Sequence, residues 1–191
     1  MERIPQSAPD FDQDRRRVDR AIRTFRAACI EIDGKAFTVT MKDFSRHGCG
    51  FDGKVPISRG DTVRYRWGNR PFVVANVMWV DGTRFGLENE RPYDPGSERG
   101  FPYRAVRIPF EQEAAIYIAG RSIEGSAINI AQKGLCVSVT ERVPPGNSST
   151  IEIGGKVFEN TTLRWTKGAQ AGFALNKPMS IPDLAKFTND A

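Results

Sequence analysis

The sequence predicts an all-β protein: two tandem small antiparallel β-barrels of the split-barrel kind, joined by a short linker. Three observations predict it. A shift of 86 residues lays the chain on itself without a gap, apolar residues alternate with period two inside each copy, and glycines separate the alternating runs. Under that shift Ile30 meets Ile116, Gly48 meets Gly134, Gly60 meets Gly146, Trp79 meets Trp165 and Gly86 meets Gly172. Chance does not align so many glycines and a tryptophan at one offset, so the chain is read as a duplication. The expected boundaries are a flexible tail at 1–14, a first domain at 15–92, a linker at 93–102, a second domain at 103–182 and a C-terminal tail at 183–191.

The strands follow in order. In "AACIEIDG" Ala28, Ile30 and Ile32 share one face and Gly34 supplies a turn. In "FTVTM" Phe37, Val39 and Met41 oppose Thr38 and Thr40; in "TVRYRWG" Val63, Tyr65 and Trp67 oppose Arg64 and Arg66. "FVVANVMWV" and "RFGLEN" complete the first set, with Tyr65, Trp67 and Trp79 in core-like alternation and expected to pack. The second copy repeats the pattern in "AAIYIAG", "STIEIGG" and "TTLRWT". A sheet of this size has too little core to leave edges open, which favours closure. A short helix at the C-terminus is the only helical candidate. The linker "YDPGSERGFP" is rich in proline, glycine and charge.

Charge is concentrated. The 191 residues carry a net +5, and "RRRVDRAIRTFR" at 15–26 accounts for that amount with six arginines and one aspartate. The remainder is near neutral, unlike a domain that coats nucleic acid with a broad basic face. A compact anionic partner fits better. No apolar run approaches bilayer length, and the opening "MERIPQSAPDFDQD" has no apolar signal stretch, so a cytoplasmic location without membrane insertion is expected. Cys29, Cys49 and Cys136 form no C-x-x-C pair, and His47 is the single histidine. No disulfide framework, metal site or cofactor is expected, and too little is present for a catalytic constellation.

Two features then stand together in the first copy. The stretch "DRRRVDR" holds Arg15, Arg16, Arg17 and Arg20, with Arg16 and Arg20 spaced as R-x-x-x-R. "DFSRHG" gives D-x-S-x-x-G from Asp43, Ser45 and Gly48, with Arg46 and His47 inside it. In extended backbone Asp43 and Ser45 point the same way, a carboxylate beside a hydroxyl, and Gly48 permits a sharp turn or a close ligand approach. The combination resembles the PilZ family, bacterial receptors for the second messenger cyclic di-GMP; the resemblance covers nearly the whole chain, once per repeat, and "VMWVDGTRFGLEN" looks like the family's closing strands.

The resemblance implies a cyclic di-GMP receptor that is not an enzyme and signals to a downstream protein effector. Arg16 and Arg20 would hold guanine and phosphate oxygens, since an arginine fork matches the adjacent O6 and N7 acceptors of guanine. Arg15 would add charge or stacking, Asp43 would accept from guanine or orient an arginine, Ser45 would offer its hydroxyl, and Gly48 would leave room. Arg17, Arg46 and His47 are secondary candidates. Ordering of the arginine arm, or rearrangement between the barrels, would carry the signal.

The second copy keeps the scaffold but not the motif. Pro102 and Val106 stand where Arg16 and Arg20 would be, Asn129 for Asp43 and Ala131 for Ser45. Arg99, Arg104 and Arg107 lie nearby without restoring R-x-x-x-R. This barrel is expected not to bind the messenger by the same mode, and to serve a homodimer or an effector contact instead. Two other readings compete: a PilZ-like adaptor that works by protein contact without nucleotide, and a basic small barrel that binds RNA.

Overall fold

The computed structural model describes residues 21–93, 104–146 and 148–190. Six strands build each half: β1 (Ile22–Ile32), β2 (Lys35–Phe44), β3 (Gly48–Asp52), β4 (Thr62–Trp67), β5 (Val73–Asp81) and β6 (Arg84–Asn89), then β7 (Ile108–Ile118), β8 (Arg121–Ala131), β9 (Gly134–Val139), β10 (Ser148–Ile153), β11 (Lys156–Lys167) and β12 (Gln170–Ala174). Each set closes into an antiparallel barrel, in the order β1-β2-β3-β6-β5-β4 and, equivalently, β7-β8-β9-β12-β11-β10. The sequence repeat is thus a structural repeat. Three bulges recur at the same offset: Arg23/Arg26 with Pro109/Gln112, Met41/Asp43 with Ala127/Asn129, and Val77/Trp79 with Leu163/Trp165.

Period-two alternation selects the inner face. Ala28, Ile30 and Ile32 join Val39, Met41, Val63, Tyr65, Trp67, Val77 and Phe85 in the first core. At the β1–β2 hairpin Asp33 and Gly34 both have positive φ, 48° and 79°, and Ala119 and Gly120 repeat this at 49° and 73°. Such left-handed pairs match the twist of the flanking strands in a two-residue hairpin.

The outer face of β1 is covered over its middle. Ala27 and Cys29 are buried in the second barrel's core cluster, with Ala36 and Phe72 packed against it. Arg66 Nη2 adds a hydrogen bond to the Arg107 carbonyl at 2.8 Å.

The short helix expected at the C-terminus is present, and it is docked. Helix α1 (Ile181–Asn189) begins at Ser180, whose hydroxyl accepts from the Asp183 N–H, with Pro182 in the first turn. Leu184 is fully buried, and Phe187 meets Phe110 and Phe158 of the second barrel. From there α1 reaches the first barrel. Asn189 accepts from the Thr38 N–H at 2.8 Å and donates to the Thr38 carbonyl at 3.0 Å, while the Thr188 and Thr38 hydroxyls lie 2.7 Å apart. Paired positions with β3 begin only at Thr40, so Asn189 satisfies the edge of β2 that β3 leaves uncovered. This explains why Thr38, on the face opposite Val39, is nevertheless buried.

Candidate functional site

The bulge between Met41 and Asp43 matters first. Met41 points into the core, and strict alternation would send Asp43 after it; one extra residue on β2 against β3 changes the parity. The Asp43 carboxylate instead bends over Gly50, and Oδ1 accepts the Gly50 N–H at 3.1 Å. A Cβ at Gly50 would lie 2.6 Å from Oδ2, so the carboxylate rests where a side chain would otherwise stand.

A second bulge does the same for Trp79. This residue is 46% exposed, which corrects its expected place in the core. Val77 remains inside, and the irregularity after it turns the indole outward onto Gly86. A Cβ at Gly86 would fall 2.1 Å from Nε1. Registers then put Asp43, Gly50, Gly86 and Trp79 in one row across β2, β3, β6 and β5. The row spans three strand spacings, about 14 Å. It is an outer-face shelf with an acid at one end and an indole at the other.

Around this shelf is a cavity of about 250 Å³ that also takes in Ser45, Gly48, Lys42 and Arg84. Asp43, Ser45 and Gly48 are therefore brought together. Ser45 is used within its own turn: Oγ accepts from the N–H groups of His47 and Gly48, both at 3.2 Å, and the Ser45 N–H donates to the Gly48 carbonyl at 2.8 Å. Gly48 answers to the scaffold. Its φ is not positive, and an added Cβ would sit 2.2 Å from the Leu87 carbonyl oxygen on β6. The absent side chain lets β3 and β6 close, and Gly134 does the same against Phe173 in the second barrel. Arg46 and His47 are exposed on the turn and do not line the cavity. Arg15, Arg16, Arg17 and Arg20 lie outside the described residues.

Behind the turn runs a buried polar network. The Asn89 N–H donates to the His47 carbonyl at 2.7 Å, and Asn89 Nδ2 donates to the Arg46 carbonyl at 3.2 Å. Tyr65 donates to Asn89 Oδ1 at 2.7 Å and lies 3.0 Å from Cys49 Sγ. Burial pushes the Cys49 thiol up to about 12, against the lowering effect of its bond with Tyr65, and burial also raises Tyr65. Both are neutral partners at ordinary pH, so the network is held by hydrogen bonds rather than charge. Tyr93 closes it, donating its N–H to the Arg46 carbonyl at 2.7 Å and packing edge-on against Trp67.

Neither this network nor Trp79 and Arg84 was identified from the sequence as part of the site. The signal lay in the repeat: Cys49, Tyr65 and Asn89 become Leu135, Ile151 and Leu175, an exchange of bonded groups for apolar ones. Trp79 and Gly86, by contrast, recur as Trp165 and Gly172, seven residues apart in both copies.

Among the described residues no cluster of three or more His, Cys, Asp or Glu side chains is arranged to hold a metal, and no helix is long and apolar enough to cross a membrane. The arrangement can accept donors at Asp43, stack a flat ring near Trp79, and draw anions to Lys42 and Arg84.

Comparison with known proteins gives a match between residues 14–100 and the PilZ domain family model. Similar solved structures include PlzA of Borreliella burgdorferi in complex with c-di-GMP, at 10% identity over 95% of this chain and 96% of that one, with a TM-score of 0.36. The Bacillus subtilis inhibitor of motility MotI/DgrA is 12% identical over 88% and 97%, TM-score 0.39. YcgR of Escherichia coli in complex with c-di-GMP is 10% identical over 86% and 80%, TM-score 0.33. No curated protein matches the chain.

Proposed function

The first barrel belongs to the PilZ domain family, matched over residues 14–100, and from that premise we propose that the protein is a receptor for cyclic di-GMP, bound on the outer shelf of this barrel. The observation that carries the reading is the meeting of the Asp43–Ser45–Gly48 turn with the row ending at Trp79, beside the start of β1. Ile22 and Arg23 pair with Phe44 and Asp43. In the sequence Arg20 is two residues ahead of Ile22 and Arg16 six. Both motifs are thus tethered to one edge of the shelf.

In this reading Arg16 and Arg20 grip guanine O6 and N7 or phosphate oxygens, and Arg15 and Arg17 add positive charge. Asp43 Oδ1 is committed to Gly50, which fixes the carboxylate with its second oxygen available to a guanine N1–H or amine. Ser45 and Gly48 shape the ledge, and Trp79 offers a face to a purine. Fixing the arginine segment costs about 1–2 kcal/mol per residue. The bound messenger offsets that cost and converts the segment into a defined surface for an effector protein.

Calorimetric titration of cyclic di-GMP into wild type, Arg16→Ala and Asp43→Asn tests the reading. Wild type is expected to bind at one site per chain, filled by one molecule or a stacked pair. Arg16→Ala weakens binding by about one to two decades, from the loss of about 1–3 kcal/mol. Asp43→Asn keeps an acceptor for Gly50, so its thermal midpoint stays near wild type while affinity falls. No binding by wild type would return the chain to the adaptor class, and two equal sites would overturn the assignment to the first barrel alone.

A further inference from the structure

The second barrel carries a larger groove at the place equivalent to the first site. It encloses about 920 Å³, and its wall comes from β4 of the first barrel, the segment entering β7, and the second barrel itself. Among the described residues, five that line it are cationic (Arg66, Arg104, Arg107, Lys133 and Arg164), and none is an aspartate or glutamate. Gathering like charges in one groove costs self-repulsion that an anion relieves. Arg66 holds this wall in place: its Nη2 is bonded to the Arg107 carbonyl and its guanidinium lies over the Phe72 ring.

An exposed indole faces this charge. Trp165 is 37% exposed and lies on Gly172, where a Cβ would approach its ring to 2.2 Å. The row across the strands is Asn129, Cys136, Gly172, Trp165. Cys136 replaces Gly50, so its own side chain occupies the space that receives the Asp43 carboxylate in the first barrel. The acid shelf is gone, while the indole remains and the cations are added.

We propose that this inter-barrel groove is a second, distinct ligand site for a nucleoside polyphosphate, its base against Trp165 and its phosphates among Arg104, Arg107, Lys133 and Arg164. One stacking residue and several convergent cations suit one ring and a run of phosphates. A cyclic dinucleotide presents two rings and only two charges. The side-chain amide of Asn129 supplies both donor and acceptor for a base edge. Because the wall draws on both barrels, occupancy joins them. The inference does not depend on cyclic di-GMP binding at the first barrel.

GTP, cyclic di-GMP and pyrophosphate are each titrated into full-length Trp79→Phe protein while indole emission is followed. Trp67 is buried, leaving Trp165 as the exposed emitter. The expected result is quenching by GTP that saturates at one equivalent, loses affinity tenfold or more in an added Arg107→Ala/Arg164→Ala pair, and disappears with Trp165→Phe. Pyrophosphate displaces GTP at least tenfold more weakly. Both arginines are exposed, so the pair is expected to keep the wild-type melting midpoint, and it leaves a cyclic di-GMP titration of the Trp79-containing protein unchanged. No GTP signal, a signal indifferent to the arginine pair, or pyrophosphate binding as tightly as GTP would overturn the proposal. Quenching by cyclic di-GMP that depends on the pair, or tighter binding of a single-stranded oligonucleotide, would overturn it as well.

Discussion

At the scale of single residues, the site depends on missing side chains as much as on present ones. Gly48, Gly50 and Gly86 each make room for a named neighbour: the Leu87 carbonyl, the Asp43 carboxylate and the Trp79 ring. Gly48→Ala is expected to destabilise the first barrel by about 1–3 kcal/mol, because its contact is unyielding backbone; a urea melt checks this. Gly86→Ala displaces a side chain instead, so it shifts Trp79 emission with a smaller loss of stability. The buried thiols set a pH dependence. Burial pushes Cys29 up to about 11 and Cys49 to about 12, from 9.0. Below about pH 9 the thiols are protonated in both native and unfolded chains and add no slope. Above it the unfolded chain releases thiol protons that the native state retains, so their contribution is lost progressively toward pH 11 and 12. The urea midpoint is expected to fall above pH 9, and a thiol reagent to reach Cys29 and Cys49 only on unfolding.

At the scale of elements, β-bulges decide which side chains become functional. Period two identified the inner faces of β1 and β4 correctly, since Ala28, Ile30, Val63, Tyr65 and Trp67 are all buried. The same rule failed at Trp79, because one extra residue reverses parity and no residue type in "NVMWV" announces it. Repetition of Trp79 and Gly86 at a fixed offset was legible, but its meaning was not, since the indole and the glycine meet only once β5 and β6 pair. The C-terminal helix was legible as an element, but its docking onto both barrels was not. Nine residues with three buried side chains give a weak periodic signal, and their partner Thr38 is about 150 positions away. Asn189→Ala removes two bonds to the Thr38 backbone and is expected to cost about 1–3 kcal/mol, measurable in denaturant.

At the scale of the molecule, the barrels are coupled by the outer face of β1, by the Arg66–Arg107 contact and by α1 reaching Thr38. Full-length protein is expected to melt in one calorimetric transition, and truncation after Met179 to split it in two or lower it sharply. The strand β1 serves as a party wall. Ala28 and Ile30 fill one interior, while Ala27 and Cys29 fill the other. Consecutive positions there answer to different neighbours, so enlarging any of them strains one interior or the other and no register slip accommodates both. Duplication ordinarily frees one copy to drift, yet here the copies share masonry. Drift in the trailing half has reached its interior as apolar exchanges and its open groove as a change of chemistry, where Asn129, Cys136 and the gathered arginines are found.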